Sequence, residues 1–410
     1  MRTTMWWIPA GCLLLASSVP HAVAAPDEEL LGKSAGYPIG TRATWFYDER
    51  VRVGSFSHVD TLFLHNRLKR APSPLPLPVA AEELKLRYVF EGRALDLEQF
   101  LERQRVTGLL IIKDGQILLE RYQYGRLPTH RLVSQSMAKS IVCLAIGLAL
   151  AEGKIASLDD KVSKYVPELA GYPYGETSIR NILRMSSGVH FTELYNGRDD
   201  VARFTRLRAA KGAVEALRVF RERDVEEGTR FHYASSETVV LALVVRAVTG
   251  TTLSEYLTGR LWQPMGAEAD ATWVIDAKGL EGASGNFNAV LRDYGRLGVI
   301  LANDGAVGNK QVLPRDFLLE ATDWHKQPSA FSPRQATPYF GYAYQFWTFP
   351  GASRRFALLG VYGQSIFVDP SLKLVMVITG VAKTANVGNQ PYGRERVAVW
   401  NALVRKYGAW

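Results

Sequence analysis

Between residues 107 and 155 the spacing of polar and apolar positions changes rhythm. "TGLLIIKDGQILLERYQYG", from Thr107, is two β-rich runs joined by Asp114-Gly115, a dipeptide that tolerates positive φ and is the strongest short-range hairpin signal. An antiparallel sheet is therefore predicted to start here. "VSQSMAKSIVCLAIGLALAEGKI", residues 133 to 155, is apolar all round from Ile141 to Ala151, as expected of a helix enclosed by protein. Gly153 closes it, with Lys154 just beyond. Residues from about 155 to 285 are predicted mostly helical with loops, in "SLDDKVSKYVPEL", "TSIRNILRMSSGV" and "SSETVVLALVVRAVTG", the last ending at Gly250. "FALLGVYGQSIFVDPSLKLVMVITGVA" predicts two more strand runs around Asp369-Pro370-Ser371, and "GRERVAVWNALVRKYG" a terminal amphipathic helix. Strands at both ends of a helical middle predict an α+β fold, a sheet domain with a helical domain inserted between its halves.

The N-terminal part has a different texture. Residues 1 to 25 read as a secretory signal: Arg2, an apolar run from Trp6 to Ala16, then "HAVAAPDE" with Ala22-Val23-Ala24 as a small-residue cleavage site. Export to the periplasm or beyond is expected. Residues 26 to 85 form an extension ending in a Pro-rich segment, Pro72 to Pro78, which cannot continue a helix or a central strand and is read as a linker or surface strap. His58 and Asp60 in this extension are too isolated for a metal site and read as a loop contact. The main domain is predicted to span 86 to 410.

Composition narrows the partners. The 410 residues are 47% apolar, enough for a substantial core. Once the signal is removed Cys143 is the only cysteine, so no intramolecular disulfide forms even in an oxidising compartment. The net charge of +9 is spread along the chain, with "RLKR" at Arg67 to Arg70 its densest cluster. That fits a solvated basic surface, not nucleic-acid binding. No nucleic acid and no membrane span after signal cleavage are expected, with a monomer or homodimer as the assembly.

The chemistry concentrates where the enclosed helix opens. Ser136 and Lys139 are three residues apart there and share one face. A serine hydroxyl becomes a useful nucleophile only when a base takes its proton, and an amine can do so only while neutral. Lysine ordinarily titrates near 10.4, so neutrality near pH 7 needs a shift of roughly 3 units, about 4 kcal/mol, which burial can supply. The same helix terminus offers N–H groups and a positive dipole end to a developing oxyanion. A Ser-x-x-Lys spacing alone also fits a capping serine beside a lysine reaching for solvent.

With its surroundings the motif becomes recognisable. "SQSMAKSI" followed by "GLALAEGKIASLDDKVSKYVPELAGYPYGETSIRNILRMSSGV" resembles the serine β-lactamase and penicillin-binding-protein-like superfamily, in the class C-like branch that holds 6-aminohexanoate-dimer hydrolases and related esterases. The resemblance covers residues 105 to 408. It implies the β-lactamase/transpeptidase-like fold, an antiparallel sheet flanked by helices, and hydrolysis of a small amide or ester through an acyl-enzyme without cofactor or metal. Ser136 would be the nucleophile and Lys139 its base. The family's Tyr-x-Asn/Ser element matches Tyr233-Ala234-Ser235, implying Tyr233 as general acid/base and Ser235 as a hydrogen-bonding group near Lys139. For its Lys/His-x-Gly element the candidate is Val361-Tyr362-Gly363-Gln364, which departs from the family's best-known form. Val361 cannot hold a substrate carboxylate as the family's cation does, which weighs against β-lactam and D-Ala-D-Ala recognition. Tyr362 and Gly363 are expected at the substrate, and the backbone N–H groups of Ser136 and Gln364 as the oxyanion hole. "KTA", Lys383 to Ala385, follows the last strand run and is rejected as that element. "FTELYNGRDD" resembles the branch's loop with a substrate-contacting tyrosine, here Tyr195, although a plain surface loop fits the same residues. The Gly cluster at 279, 282 and 285 is expected to permit a tight path near the cleft. A β-lactamase, a D-alanyl-D-alanine carboxypeptidase and a slow-turnover acylated sensor are the alternatives.

Overall fold

A computed structural model of the chain describes residues 25–408. The predicted signal up to residue 24 lies outside the described residues. In chain order, the elements that bear on the site are α1 (Glu49–Ser55), β1 (His65–Leu68), β2 (Val106–Lys113), β3 (Gln116–Tyr122), β4 (Leu132–Val133), α2 (Ala138–Ala151), α3 (Ser235–Thr249), β5 (Ala271–Val274), β6 (Phe287–Ala289), α4 (Leu291–Ala302), β7 (Gly341–Tyr342), β8 (Trp347–Thr348), β9 (Phe356–Gly360), β10 (Gln364–Asp369), β11 (Leu374–Gly380) and α5 (Pro391–Tyr407).

Seven of these strands form an antiparallel sheet in the order β7-β8-β9-β10-β11-β2-β3. The Asp114-Gly115 turn joins β2 to β3, both residues at positive φ, 52° and 76°. Side chains alternate across the sheet, and that alternation sorts them into two cores. Leu110, Ile112, Ile366, Val368, Val375 and Val377 join the cluster that includes α2 and α4. Their neighbours Leu109, Ile111, Phe367, Met376 and Ile378 face Val399, Trp400 and Leu403 of α5. Because both faces are covered, β2 is buried from Val106 to Ile112 and reads as a continuous apolar run. Each such aliphatic side chain contributes about 1.5–3 kcal/mol of burial. The fold is thus α+β, a helix-flanked antiparallel sheet.

α2 is buried from Ala138 to Ala149 and packs against α3 and the sheet, which is why it shows no polar face. One strand escaped the sequence pattern. Two runs were expected near the C-terminal end, but the glycine-framed 3-10 turn Val361–Gly363 divides the first into β9 and β10.

The N-terminal extension is woven into the fold. β1 pairs with β5 in a second sheet, order β1-β5-β6-β4. The Pro-rich segment crosses the surface as a strap: the Leu75 N–H donates to Gly266 O at 2.9 Å, and Pro78 O accepts from the Ile117 N–H at 2.8 Å. Asp60 pairs with Arg131, 71 residues on, at 2.6 Å, tying the extension to the chain before β4, and His58 Nδ1 makes a local contact with Gly54 O at 2.9 Å.

Candidate active site

Ser136 sits in a 3-10 turn, Gln135–Met137, that runs straight into α2. Residues three apart eclipse in such a turn, bringing Lys139 over the serine. Lys139 Nζ lies 3.0 Å from Ser136 Oγ. Gln135 takes the left-handed conformation, φ 45°, which a non-glycine residue holds only when neighbours over-determine it. The Ser134 N–H donates to Phe287 O at 2.7 Å, and Ser134 Oγ donates to Gln135 O at 2.8 Å.

Lys139 is 1% exposed, and its amine is surrounded by acceptors: Ser136 Oγ, Ser235 Oγ at 3.0 Å and Ser284 O at 2.9 Å. Burial lowers its pKa from 10.5 to about 8, against the opposing pull of Glu193. Roughly a tenth of the amine is therefore neutral at pH 7. In that form Nζ keeps two hydrogens for Ser235 and Ser284 and accepts one from the Ser136 hydroxyl.

Tyr233 precedes α3 and faces this pair across the cleft. Its ring stacks on Trp347, centroids 5.4 Å apart at 29°, and its centroid lies 4.9 Å from Lys139 Nζ. Burial first, then Glu193, pushes the phenol well above its ordinary pKa, while the nearby Ser136 pulls the other way. The phenol is therefore neutral at working pH, an acid first and not a base.

Glu193 was not singled out from the sequence, yet it organises the far side of the site. Its Oε2 accepts the Ser235 N–H at 2.7 Å, and its Oε1 accepts the Ser235 hydroxyl at 2.7 Å and the Tyr195 phenol. A carboxylate thus sits at the N-terminus of α3, where its charge complements the helix dipole. It also stabilises the charged form of Lys139. Glu193→Gln is therefore expected to lower the lysine pKa further and move the acid limb of kcat/KM to lower pH. A pH–rate profile of the two proteins checks this, and an unmoved limb would detach Glu193 from the base.

The structure brings Ser136, Lys139, Tyr233, Ser235 and Tyr195 together. Ser136 contacts Tyr195 closely enough to oppose the burial that raises that phenol's pKa. Gln364 opens β10 opposite Gly360, and a Cβ on Gly360 would lie 2.5 Å from Ser134 O, so this strand edge abuts the nucleophile turn. Gly363 has φ 100°, and a Cβ there would strike the Tyr392 ring at 2.5 Å. Tyr362 goes elsewhere. Its ring is 4% exposed and packs among Phe46 and Phe56 of the extension, not toward the serine. Lys383 is exposed and pairs with Asp27 at 3.6 Å. In the passage after Gly279, Ser284 delivers the third acceptor to Lys139, a backbone contact that has no side-chain signature in the sequence.

The family model described as Beta-lactamase matches residues 96–399. The chain belongs to the beta-lactamase family. Within this family, the 6-aminohexanoate-dimer hydrolase of Paenarthrobacter ureafaciens is 29% identical over 304 residues, 70% of this chain and 75% of the relative. A solved structure from Bacillus anthracis, a candidate 6-aminohexanoate-dimer hydrolase, superposes with a TM-score of 0.77 at 23% identity, covering 89% of this chain and 98% of that one. A D-stereospecific amidohydrolase from a Streptomyces species has a TM-score of 0.52 at 19% identity, covering 70% and 92%. This beta-lactamase-family hydrolase therefore shares its fold with amide-cleaving relatives, and the matched span contains every residue grouped around Ser136.

Proposed function

We propose that the protein is a serine hydrolase that cleaves an amide or ester of a small molecule through an acyl-enzyme, in the manner of 6-aminohexanoate-dimer hydrolases. The observation that carries this reading is a buried amine with pKa about 8 placed 3.0 Å from a serine hydroxyl. Neutral Lys139 takes the Ser136 proton as Oγ attacks the substrate carbonyl. The carbonyl oxygen becomes an oxyanion that the backbone N–H groups of Ser136 and Gln364 would hold. Tyr233 gives its proton to the leaving nitrogen or oxygen as the C–N or C–O bond breaks, and the Lys139 ammonium returns a proton to Tyr233. Water then attacks the Ser136 ester, releasing the acid and restoring the hydroxyl. The partly exposed, stacked rings of Tyr233 and Trp347, backed by the buried Tyr342, suit an apolar acyl or amine chain. Val361 supplies no cation for a substrate carboxylate, which favours this reading over D-alanyl peptide chemistry.

Rapid quenching with a short-chain p-nitrophenyl ester, followed by peptide mass mapping, is expected to find one acyl group per chain, on Ser136, with continued product release. A parallel assay with aminohexanoate dimer tests the amide. An adduct on another residue, or none, would overturn the reading; a stable adduct without turnover would make the protein an acylated sensor.

A further inference from the structure

We infer that the N-terminal extension is a positioning clamp for the oxyanion hole, with Arg52 of α1 as its key residue. The inference rests on the proposed acyl-enzyme reading and assigns a function to residues outside the matched span of 96–399.

Two backbone segments must hold their N–H groups in register for an oxyanion hole: the turn bearing Ser136 and the turn before Gln364. The extension touches both. On the serine side, Phe56 O, at the end of α1, accepts the Val133 N–H at 2.8 Å, three residues before the nucleophile. On the other side, Tyr362 stands two residues before Gln364 in a left-handed conformation, φ 60° and ψ 17°. A tyrosine holds that conformation only under constraint from its surroundings. The extension supplies part of that constraint, beside the Tyr362 N–H that donates to Ala385 O at 2.9 Å: Phe46 and Phe56 pack edge-on against the Tyr362 ring at 5.1 and 5.6 Å, and the Arg52 guanidinium lies 4.1 Å from its centroid.

Arg52 is built to hold a fixed place. It is 3% exposed and donates to Phe46 O at 3.2 Å, Tyr47 O at 2.9 Å and Ala382 O at 3.0 Å. Ala382 in turn donates its N–H to Tyr362 O at 3.0 Å. The planar guanidinium thus ties the extension's own loop, the chain after β11 and the Tyr362 ring into one unit, which a flexible ammonium cannot do. α1 itself is anchored by Arg105, which reaches Glu49 at 2.8 Å. Arg52 touches neither the serine nor the lysine, so its effect on turnover is exerted through Tyr362 and the strand edge.

Arg52→Met, Arg52→Lys and Phe46→Leu, compared with the full-length protein well below their melting temperatures, test the clamp. Loss of an oxyanion donor costs about 10²–10³ in kcat, and a displaced one part of that. Arg52→Met is expected to lower kcat about 10- to 100-fold with KM within two-fold, and Arg52→Lys and Phe46→Leu by less. Affinity for a phosphonate transition-state analogue should fall in proportion, while affinity for the carboxylic acid product should not. A purely structural role would move product and analogue together. Phe46→Leu removes a half-buried ring without altering the buried cation, so the comparison survives if Arg52→Met fails to fold. Unchanged kcat in the folded variants, or parallel losses of product and analogue binding, overturns the clamp. If the phosphonate modifies Ser136 in the wild type but the variants keep full kcat, the clamp alone falls; if it does not modify Ser136, the acyl-enzyme reading falls with it.

Discussion

Lys139→Met is expected to lower kcat/KM at pH 7 by about 10³- to 10⁴-fold while substrate still binds, because methionine keeps the stem of the side chain and removes the base. The same variant reads the lysine's proton affinity through stability. Folded Lys139 titrates at about 8 instead of 10.5. Between those values the unfolded chain holds more protons than the folded one, so stability rises with pH across that window. Below pH 8 the whole cost is present, about 3 kcal/mol at about 1.4 kcal/mol per unit. Methionine escapes that cost, although it takes a donor from Ser235 Oγ and Ser284 O, an opposing effect of about 1–3 kcal/mol. The opposing effect does not titrate. The unfolding free energy of the variant minus that of the wild type should therefore fall by about 3 kcal/mol between pH 7 and 10.5, whatever its value at pH 7. Denaturant titrations of both proteins at half-unit steps measure it. A flat difference would mean that the amine is not depressed, and it could not be the base.

The parts of this machinery that could be read beforehand are those in which local chain chemistry and tertiary placement agree. The hairpin at Asp114-Gly115 needs positive φ at two adjacent residues, and few dipeptides accept that. α2 carries its burial in its composition: a helix without a polar face has to be enclosed, and a lysine at its mouth is then a buried lysine. Glu193 was hidden because a carboxylate in a polar loop looks the same whether it meets water or Ser235, 42 residues away. Tyr362 shows the converse. Its place beside Gly363 suggested a ring at the substrate, but the left-handed backbone and the aromatic cluster of the extension turn it to the other side. That choice depends on Phe46 and Phe56, more than 300 positions earlier, and no local signal encodes it.

Tyr233→Phe separates the two proton transfers that the mechanism assigns to different residues. Phenylalanine keeps the ring on Trp347 and beside Lys139 and deletes only the hydroxyl. An alkylamine cannot leave as its anion, so amide cleavage needs a proton delivered to nitrogen as the bond breaks, and the variant should lose about 10²–10⁴-fold in kcat/KM. p-Nitrophenolate leaves without a proton. Its ester, built on the same acyl group, should lose only a few fold, because Lys139 still deprotonates Ser136 at 3.0 Å. The ratio of amide to ester kcat/KM is therefore the measurement, and it should drop by at least an order of magnitude. Equal losses on both substrates would place the phenol's work before the leaving group departs, in activating the serine, and Lys139 would then need Tyr233 as its partner in that earlier transfer.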